Sequence, residues 1–190
     1  MKPLQTVVLL TSTVSTGLLA GLFAGFAYSV MPGLGRSSDR TLVEAMQNIN
    51  KAIIGPTFML PFMGSIPLLA LAAVLAWRGH SRPVLPWIIT ALLLYLVAFG
   101  ITGAVNVPLN DQLVKVTSLR DADTLAMARK HFESRWVTWN LVRALLHTAA
   151  FGCLAWALVT TGAAQIAPIP GRGQPAVPGH HHLVTDTRQP

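Results

Sequence analysis

The chain has 190 residues, 52% of them hydrophobic and 11% charged, with a formal net charge of +7. Soluble domains carry about 25% charged residues, so this chain lacks the polar surface to cover itself in water. Its basic residues are scattered singly beside apolar stretches, with no basic run interleaved with aromatics; a nucleic-acid partner is excluded, and the charge is assigned to lipid headgroups.

Four apolar stretches approach or exceed the roughly 20 residues that a bilayer requires, over 7–31, 52–77, 85–107 and 137–160. They predict an all-α fold, a membrane-embedded four-helix bundle with interfacial amphipathic helices, in a multi-pass protein of the cell membrane. Residues 1–162 are read as one transmembrane domain, and 163–190, rich in Pro, Gly and His, as a disordered tail.

In span one, Lys2 is the sole preceding basic residue and the apolar run is longer than a signal-peptide core, so it is read as retained. Gly17, Gly21 and Gly25 recur every four residues, a smooth face for close helix approach. The span ends at Met31-Pro32-Gly33. An amphipathic helix over 37–51 follows, with Asp39 as the expected cap and Leu42, Val43 and Met46 on one face.

Span two holds Pro56, Pro61 and Pro67, which predict a kink and freed carbonyls. After the basic turn at 78–83, span three ends in Asn106-Val107-Pro108-Leu109-Asn110-Asp111. Leu125, Ala128 and Phe132 then recur at helical spacing, an interfacial helix running into span four. Both hairpins share one layout, which hints at a duplicated two-helix unit. Basic residues in the two longer connections are interleaved with acids, which weakens the positive-inside signal; the termini are placed inside.

Span four carries the sharpest pattern. Trp136, Asn140, Arg143 and His147 are spaced by four, three and four, one stripe of a helix that is otherwise apolar. An arginine at the centre of a membrane helix costs about 2.5–3.5 kcal/mol on insertion scales, and such groups face the bundle interior. The stripe predicts a polar pocket. Arg143 would supply a fixed cation for an anionic oxygen, and Asn140 either a second donor or helix–helix glue.

His147 is the one intramembrane group that titrates near neutral pH, so it is either a general base or a core histidine satisfied by a neighbouring helix. Trp136 and Trp139 read as substrate platform or interfacial belt, and Asn48, Asn50, Asn106 and Asn110 as ligand contacts or helix caps. With alternating spans, these residues and Tyr28 share one membrane side. No ligand set for a metal or a bis-histidine haem is visible, and no phosphate loop; no cofactor is expected. Cys153 is assigned to packing.

The segments Tyr28-Ser29-Val30-Met31-Pro32-Gly33-Leu34, Ala45-Met46-Gln47-Asn48-Ile49-Asn50, Val107-Pro108-Leu109-Asn110 and Trp136-Val137-Thr138-Trp139-Asn140-Leu141-Val142-Arg143, in this order, resemble the anthrone oxygenase-like family of small four-helix membrane proteins. The resemblance spans about residues 5–160. It implies an integral membrane protein; fungal members oxidise anthrones to anthraquinones with molecular oxygen and no tightly bound cofactor. The positions that match the family's motifs are Asn48, Asn50, Asn106, Pro108, Asn110, Trp136, Asn140 and Arg143, and His147 belongs to none of them.

Two functions are carried forward. One is a cofactor-free monooxygenase acting on a planar, lipophilic phenol or anthrone, with Arg143, Asn140 and His147 as catalytic residues. Asn48, Asn50, Asn106, Asn110, Trp136, Trp139 and Tyr28 would then form the substrate site. The other is a non-catalytic membrane protein that binds a lipid or quinone, or assists a neighbouring complex.

Overall fold

The computed structural model describes residues 3–79 and 82–166, in which every regular element is a helix. α1 (Pro3–Gly25) passes through a π-helical segment (Phe26–Val30) into α2 (Met31–Gly35), followed by α3 (Asp39–Ile53) and α4 (Pro56–Arg78). A 3₁₀ turn (Arg82–Val84) leads to α5 (Leu85–Ile101), a second π-helical segment (Thr102–Asn106), α6 (Val107–Val114) and α7 (Ala122–Ile166). Four stretches are long and apolar enough to cross a membrane: Pro3–Gly35, Pro56–Arg78, Arg82–Val114 and Ala122–Gly162. This is a multi-pass, all-α membrane protein.

The two π-helical segments have the same cause. Pro32 and Pro108 lack an N–H and crowd the carbonyl four residues back, so the preceding turn widens by one residue. The backbone N–H of Met31 accordingly reaches the Phe26 carbonyl, and that of Val107 the Thr102 carbonyl. Both hairpins thus carry one device at one place, in keeping with their shared layout.

α4 is one helix with Pro61 and Pro67 inside it, and the Phe62 carbonyl, in the turn before Pro67, accepts the Tyr95 hydroxyl at 2.7 Å. Span two starts later than its hydropathy indicates. α3 runs to Ile53, and the chain breaks at Gly55, extended at ψ 160°, before Pro56 opens α4.

Two apolar cores result. The larger lies between the four spans and includes Leu9, Leu19, Phe23, Leu69, Ile88, Tyr95 and Leu154. The smaller covers one end of the bundle, where Leu42, Val43 and Met46 of α3 meet Leu109 and Leu113 of α6 and Phe132 and Trp136 of α7. Burying such a side chain fully contributes about 1.5–3 kcal/mol, which is what holds α3 down as a lid. At about 1.5 Å per residue α7 is about 68 Å long, twice the roughly 30 Å hydrocarbon thickness, so its first part, ahead of the span at 137–160, stands outside the bilayer and supports that lid.

Polar ties fix the lid. Arg129 donates to the carbonyls of Gly35 and Ser37 at 2.6 and 2.9 Å and to the carboxylates of Asp39 and Glu133 at 2.9 and 2.6 Å. Gln47 donates to the carbonyls of Leu113 and Val116 at 2.9 and 3.0 Å, joining α3 to the end of α6. The α3 cap is Ser38, whose hydroxyl accepts the Thr41 N–H at 3.2 Å; Asp39, the expected cap, stands one residue later and binds Arg129 instead.

Of the three spaced glycines only Gly17 is a close-approach site, because a Cβ there would lie 2.9 Å from the Phe151 ring. Gly21 and Gly25 face open space. α7 continues to Ile166, beyond the expected domain end at 162; residues 167–190 of the expected tail lie outside the described residues.

Candidate functional site

The four stripe residues of α7 are all buried. They face α1 and the second π-helical segment, and Arg143 is the centre of the arrangement. It is 6% exposed, yet among the described residues no carboxylate lies within ion-pair distance of it. Its Nε and Nη2 donate to Asn140 Oδ1 at 3.2 and 3.0 Å, and its Nη1 to Thr102 Oγ1 at 3.4 Å. A guanidinium has five N–H groups. The three bonds leave two without a partner among the described residues.

Two rings flank the cation. Its central carbon lies 4.3 Å from the centre of the Phe23 ring and 5.3 Å from that of Trp136. The negative ring faces offset part of the cost of removing the charge from water. They do not replace a counter-ion.

Arg143 and Trp136 sit in the wall of a cavity of about 560 Å³ enclosed by α1, α3, α4, the second π-helical segment, α6 and α7. Most of the wall is apolar, with Phe23, Phe26, Phe58, Phe62 and Phe99 supplying aromatic faces. Its polar contributors are Asn50, Lys51, Thr102, Asn110, Asp111 and Arg143. The Trp136 indole N–H donates to Asn110 Oδ1 at 2.8 Å, which leaves the Asn110 amide NH₂ as the free end. The Asn50 NH₂ is buried without a partner among the described residues. Arg143 and Asn110 therefore offer N–H donors in an otherwise apolar, aromatic chamber, with the Asp111 carboxylate and Lys51 ammonium also on its wall, an arrangement that suits an oxygen-bearing aromatic ligand.

Asn140 and Asn106 serve the site from behind the wall. The Asn140 amide NH₂ donates to the Phe23 carbonyl at 3.1 Å while its oxygen holds Arg143, so both ends of the amide are engaged within the protein. Asn106 is completely buried and donates to the Trp136 carbonyl at 3.5 Å, with its oxygen unpartnered.

His147 is also behind the wall. Its ring lies between Phe23 and Tyr95, 4.9 Å from each ring centre, with Nδ1 2.7 Å from the Arg143 carbonyl and Nε2 unpartnered. It does not line the cavity, because one helical turn beyond Arg143 the Phe23 ring fills the space between α1 and α7.

The remaining sequence candidates face elsewhere. Tyr28, 74% exposed, lies inside the first π-helical segment, where the widened turn directs it outward. Asn48 is exposed because it is two residues, about 200° of helix rotation, from the buried Asn50. Trp139 is about 100° from Asn140 and turns away from the cavity. Thr102, Lys51 and Asp111 are wall residues that the sequence pattern did not single out as ligand contacts. The Asn-Asp pair at 110–111, next to Pro108, was their one visible signal. Among the described residues there is no cluster of three His, Cys, Asp or Glu able to hold a metal ion.

Fold and site together define an all-α, multi-pass membrane protein with a donor-lined cavity at one end of its bundle. Residues 57–153 match the family described as Anthrone oxygenase, and the chain belongs to that family. The matched region runs from the start of α4 into α7 and contains Asn106, Asn110, Trp136, Asn140, Arg143 and His147; the lid with Asn48 and Asn50 precedes it. No curated protein and no solved structure matches the chain.

Proposed function

We propose that the protein oxidises a planar, lipophilic phenol of the anthrone type with molecular oxygen, in the cavity beside Arg143. The observation that carries this reading is a buried arginine with no carboxylate in ion-pair distance among the described residues, in the wall of an aromatic chamber. The missing anion is the ligand's own. Loss of a proton from the acidic ring carbon of a hydroxyanthrone gives a phenolate-type anion whose charge resides on oxygen. Arg143, Asn50 and Asn110 would stabilise that charge as it develops, an effect worth about 3–4 kcal/mol for a well-aimed donor in other enzymes. Phe23, Phe58 and Trp136 would hold the ring.

The electrons then pass from the anion to oxygen. A carbon–oxygen bond forms at the ring carbon, the resulting hydroperoxide loses water, and the carbon is left as a second carbonyl. One anthrone and one O₂ give one quinone and one water. The proton is taken by Asp111, the carboxylate on the cavity wall, or by water, and is returned to the peroxide oxygen before water is lost. His147 supports Arg143 from behind the wall and is not assigned to proton transfer.

The position of His147 also favours the second reading, a membrane protein that binds a quinone or lipid without turning it over, because the wall then carries no histidine to act as base. Oxygen uptake and absorbance with 1,8-dihydroxyanthrone, on protein in nanodiscs, separate the two. A rate above the spontaneous background that is lost in Arg143→Gln supports catalysis. Saturable binding with no such rate supports the binder.

A further inference from the structure

The cavity reaches the protein surface, and along one side its exposed rim is apolar. Ile54, Met63, Gly103, Val107 and Val114 belong both to the cavity wall and to the exposed surface. Ile54 is 72% exposed. These residues lie on two edges, the α3–α4 junction and α4 on one side, the second π-helical segment and α6 on the other. Just below, Phe62 and Phe99 stack with ring centres 5.0 Å apart and close the gap between α4 and α5. Above, Lys51 and Asp111 mark the mouth's charged limit.

Met63 and Gly103 fall inside two of the four stretches long and apolar enough to cross a membrane, the part of the chain expected to meet acyl chains. A water-facing mouth would present polar side chains at this depth. Here the donors are inside, on Asn50, Asn110 and Arg143, and the apolar groups are at the threshold.

We propose that the cavity opens sideways into the lipid, between α4 and the second π-helical segment, and that its ligand is a membrane-dissolved aromatic amphiphile admitted through this port. It arrives from the acyl-chain region, and its oxygens turn inward toward the donors. This rests on the reading of the cavity as the ligand site. The π-helical segment has a definite part in it. The widened turn above Pro108 places Gly103 on the threshold, where an added Cβ would meet nothing within 4 Å. A larger side chain there obstructs the port without disturbing packing.

A quencher that carries no phenol tests the port apart from the chemistry. Trp136 is buried in the cavity wall, whereas Trp77, Trp87, Trp139 and Trp156 are exposed. With those four replaced by phenylalanine in proteoliposomes, 1-bromonaphthalene dissolved in the bilayer should quench Trp136, and aqueous iodide should not. Gly103→Phe should abolish the arene's quenching, and Gly21→Phe, at an equally open site away from the cavity, should leave it intact. Should the four-fold variant fail to fold, the same signal is the difference between the otherwise native chain and its Trp136→Phe variant. Quenching by iodide but not by the arene, or arene quenching that survives Gly103→Phe, overturns the lateral port. Failure of the anion-site reading would appear separately, as hydroxyanthrone binding unaffected by Arg143→Gln.

Discussion

Asn140 and Arg143, three residues apart on α7, are joined twice: the amide oxygen accepts from Nε and Nη2 of the guanidinium at 3.2 and 3.0 Å. The same amide donates to the Phe23 carbonyl of α1, so one side chain fixes the cation's orientation and ties α7 to the neighbouring span. Asn140→Ala should therefore weaken ligand binding without touching the ligand. The bonds lost suggest a destabilisation of about 1–3 kcal/mol. Thermal unfolding in detergent and titration with 1,8-dihydroxyanthrone check both effects. An unchanged melting temperature and unchanged affinity would remove Asn140 from its positioning role.

Arg143→Lys should not be conservative. The guanidinium gives two N–H groups to Asn140 and one to Thr102 and still presents two more; a lysine has three protons on one atom and a point charge that is readily lost on burial. Affinity for 1,8-dihydroxyanthrone should fall at least about tenfold, or about 1.4 kcal/mol, with little of the loss recovered by lowering the pH to restore the lysine's charge. Equal affinity in the lysine variant would mean that charge alone suffices.

His147 is expected to matter for packing and not for proton transfer. It is enclosed by Phe23 and Tyr95 and contacts the cation's own backbone carbonyl, out of reach of the cavity. His147→Gln should keep the shape of the pH–rate profile while lowering thermal stability. Asp111→Asn, at the cavity wall, should slow turnover while hydroxyanthrone still binds. The opposite pattern, a folded His147→Gln protein that binds hydroxyanthrone but has lost the rate, would return the base to His147.

The spans and the inward stripe are legible in the sequence because both rest on simple periodicities. A bilayer imposes a length, and an unbroken α-helix places residues 136, 140, 143 and 147 on one face. What periodicity misses is where the helix departs from 3.6 residues per turn. Pro32 and Pro108 announce an end to the helix, whereas the chain absorbs each by widening the previous turn and continuing, so Tyr28 faces out. Nor does a stripe show depth behind a neighbouring ring. Arg143 and His147 share a face of α7, and it is Phe23, from another span, that puts one on the cavity wall and the other behind it. The lid is half legible. Leu42, Val43 and Met46 mark an apolar face, but whether that face meets lipid or protein depends on the length of α7 outside the bilayer.

Arg129 is the residue that carries the lid's attachment. It binds two carbonyls at the end of α2 and two carboxylates, one of them at the start of α3, and its side chain is mostly buried. Lysine cannot reach all four acceptors from one ammonium group. Arg129→Lys should cost about 1–3 kcal/mol of stability, allowing for partial solvent screening of the carboxylate pairs. It should also weaken hydroxyanthrone binding, because α3 carries Asn50 into the cavity wall. Hydrogen exchange should show the change confined to 35–53. A loss of stability spread evenly over the spans would assign Arg129 to general folding instead.

Four crossings place residue 3 and residue 162 on the same side of the membrane, with the lid, Lys51 and Asp111 on the other. The termini are expected on the cytoplasmic face, so the mouth's charged limit lies at the opposite surface. Single-cysteine variants in a Cys153→Ser background test this: Leu4→Cys and Thr160→Cys near the two ends, Lys115→Cys and Arg120→Cys in the α6–α7 connection. In right-side-out cells an impermeant maleimide should label the two connection variants and spare the two end variants, and inverted vesicles should show the reverse. Labelling of the Leu4→Cys and Thr160→Cys variants from opposite sides would refute the four-span topology. Labelling of both end variants from outside would keep the topology and invert the orientation, placing the lid and the mouth's charged limit on the cytoplasmic side.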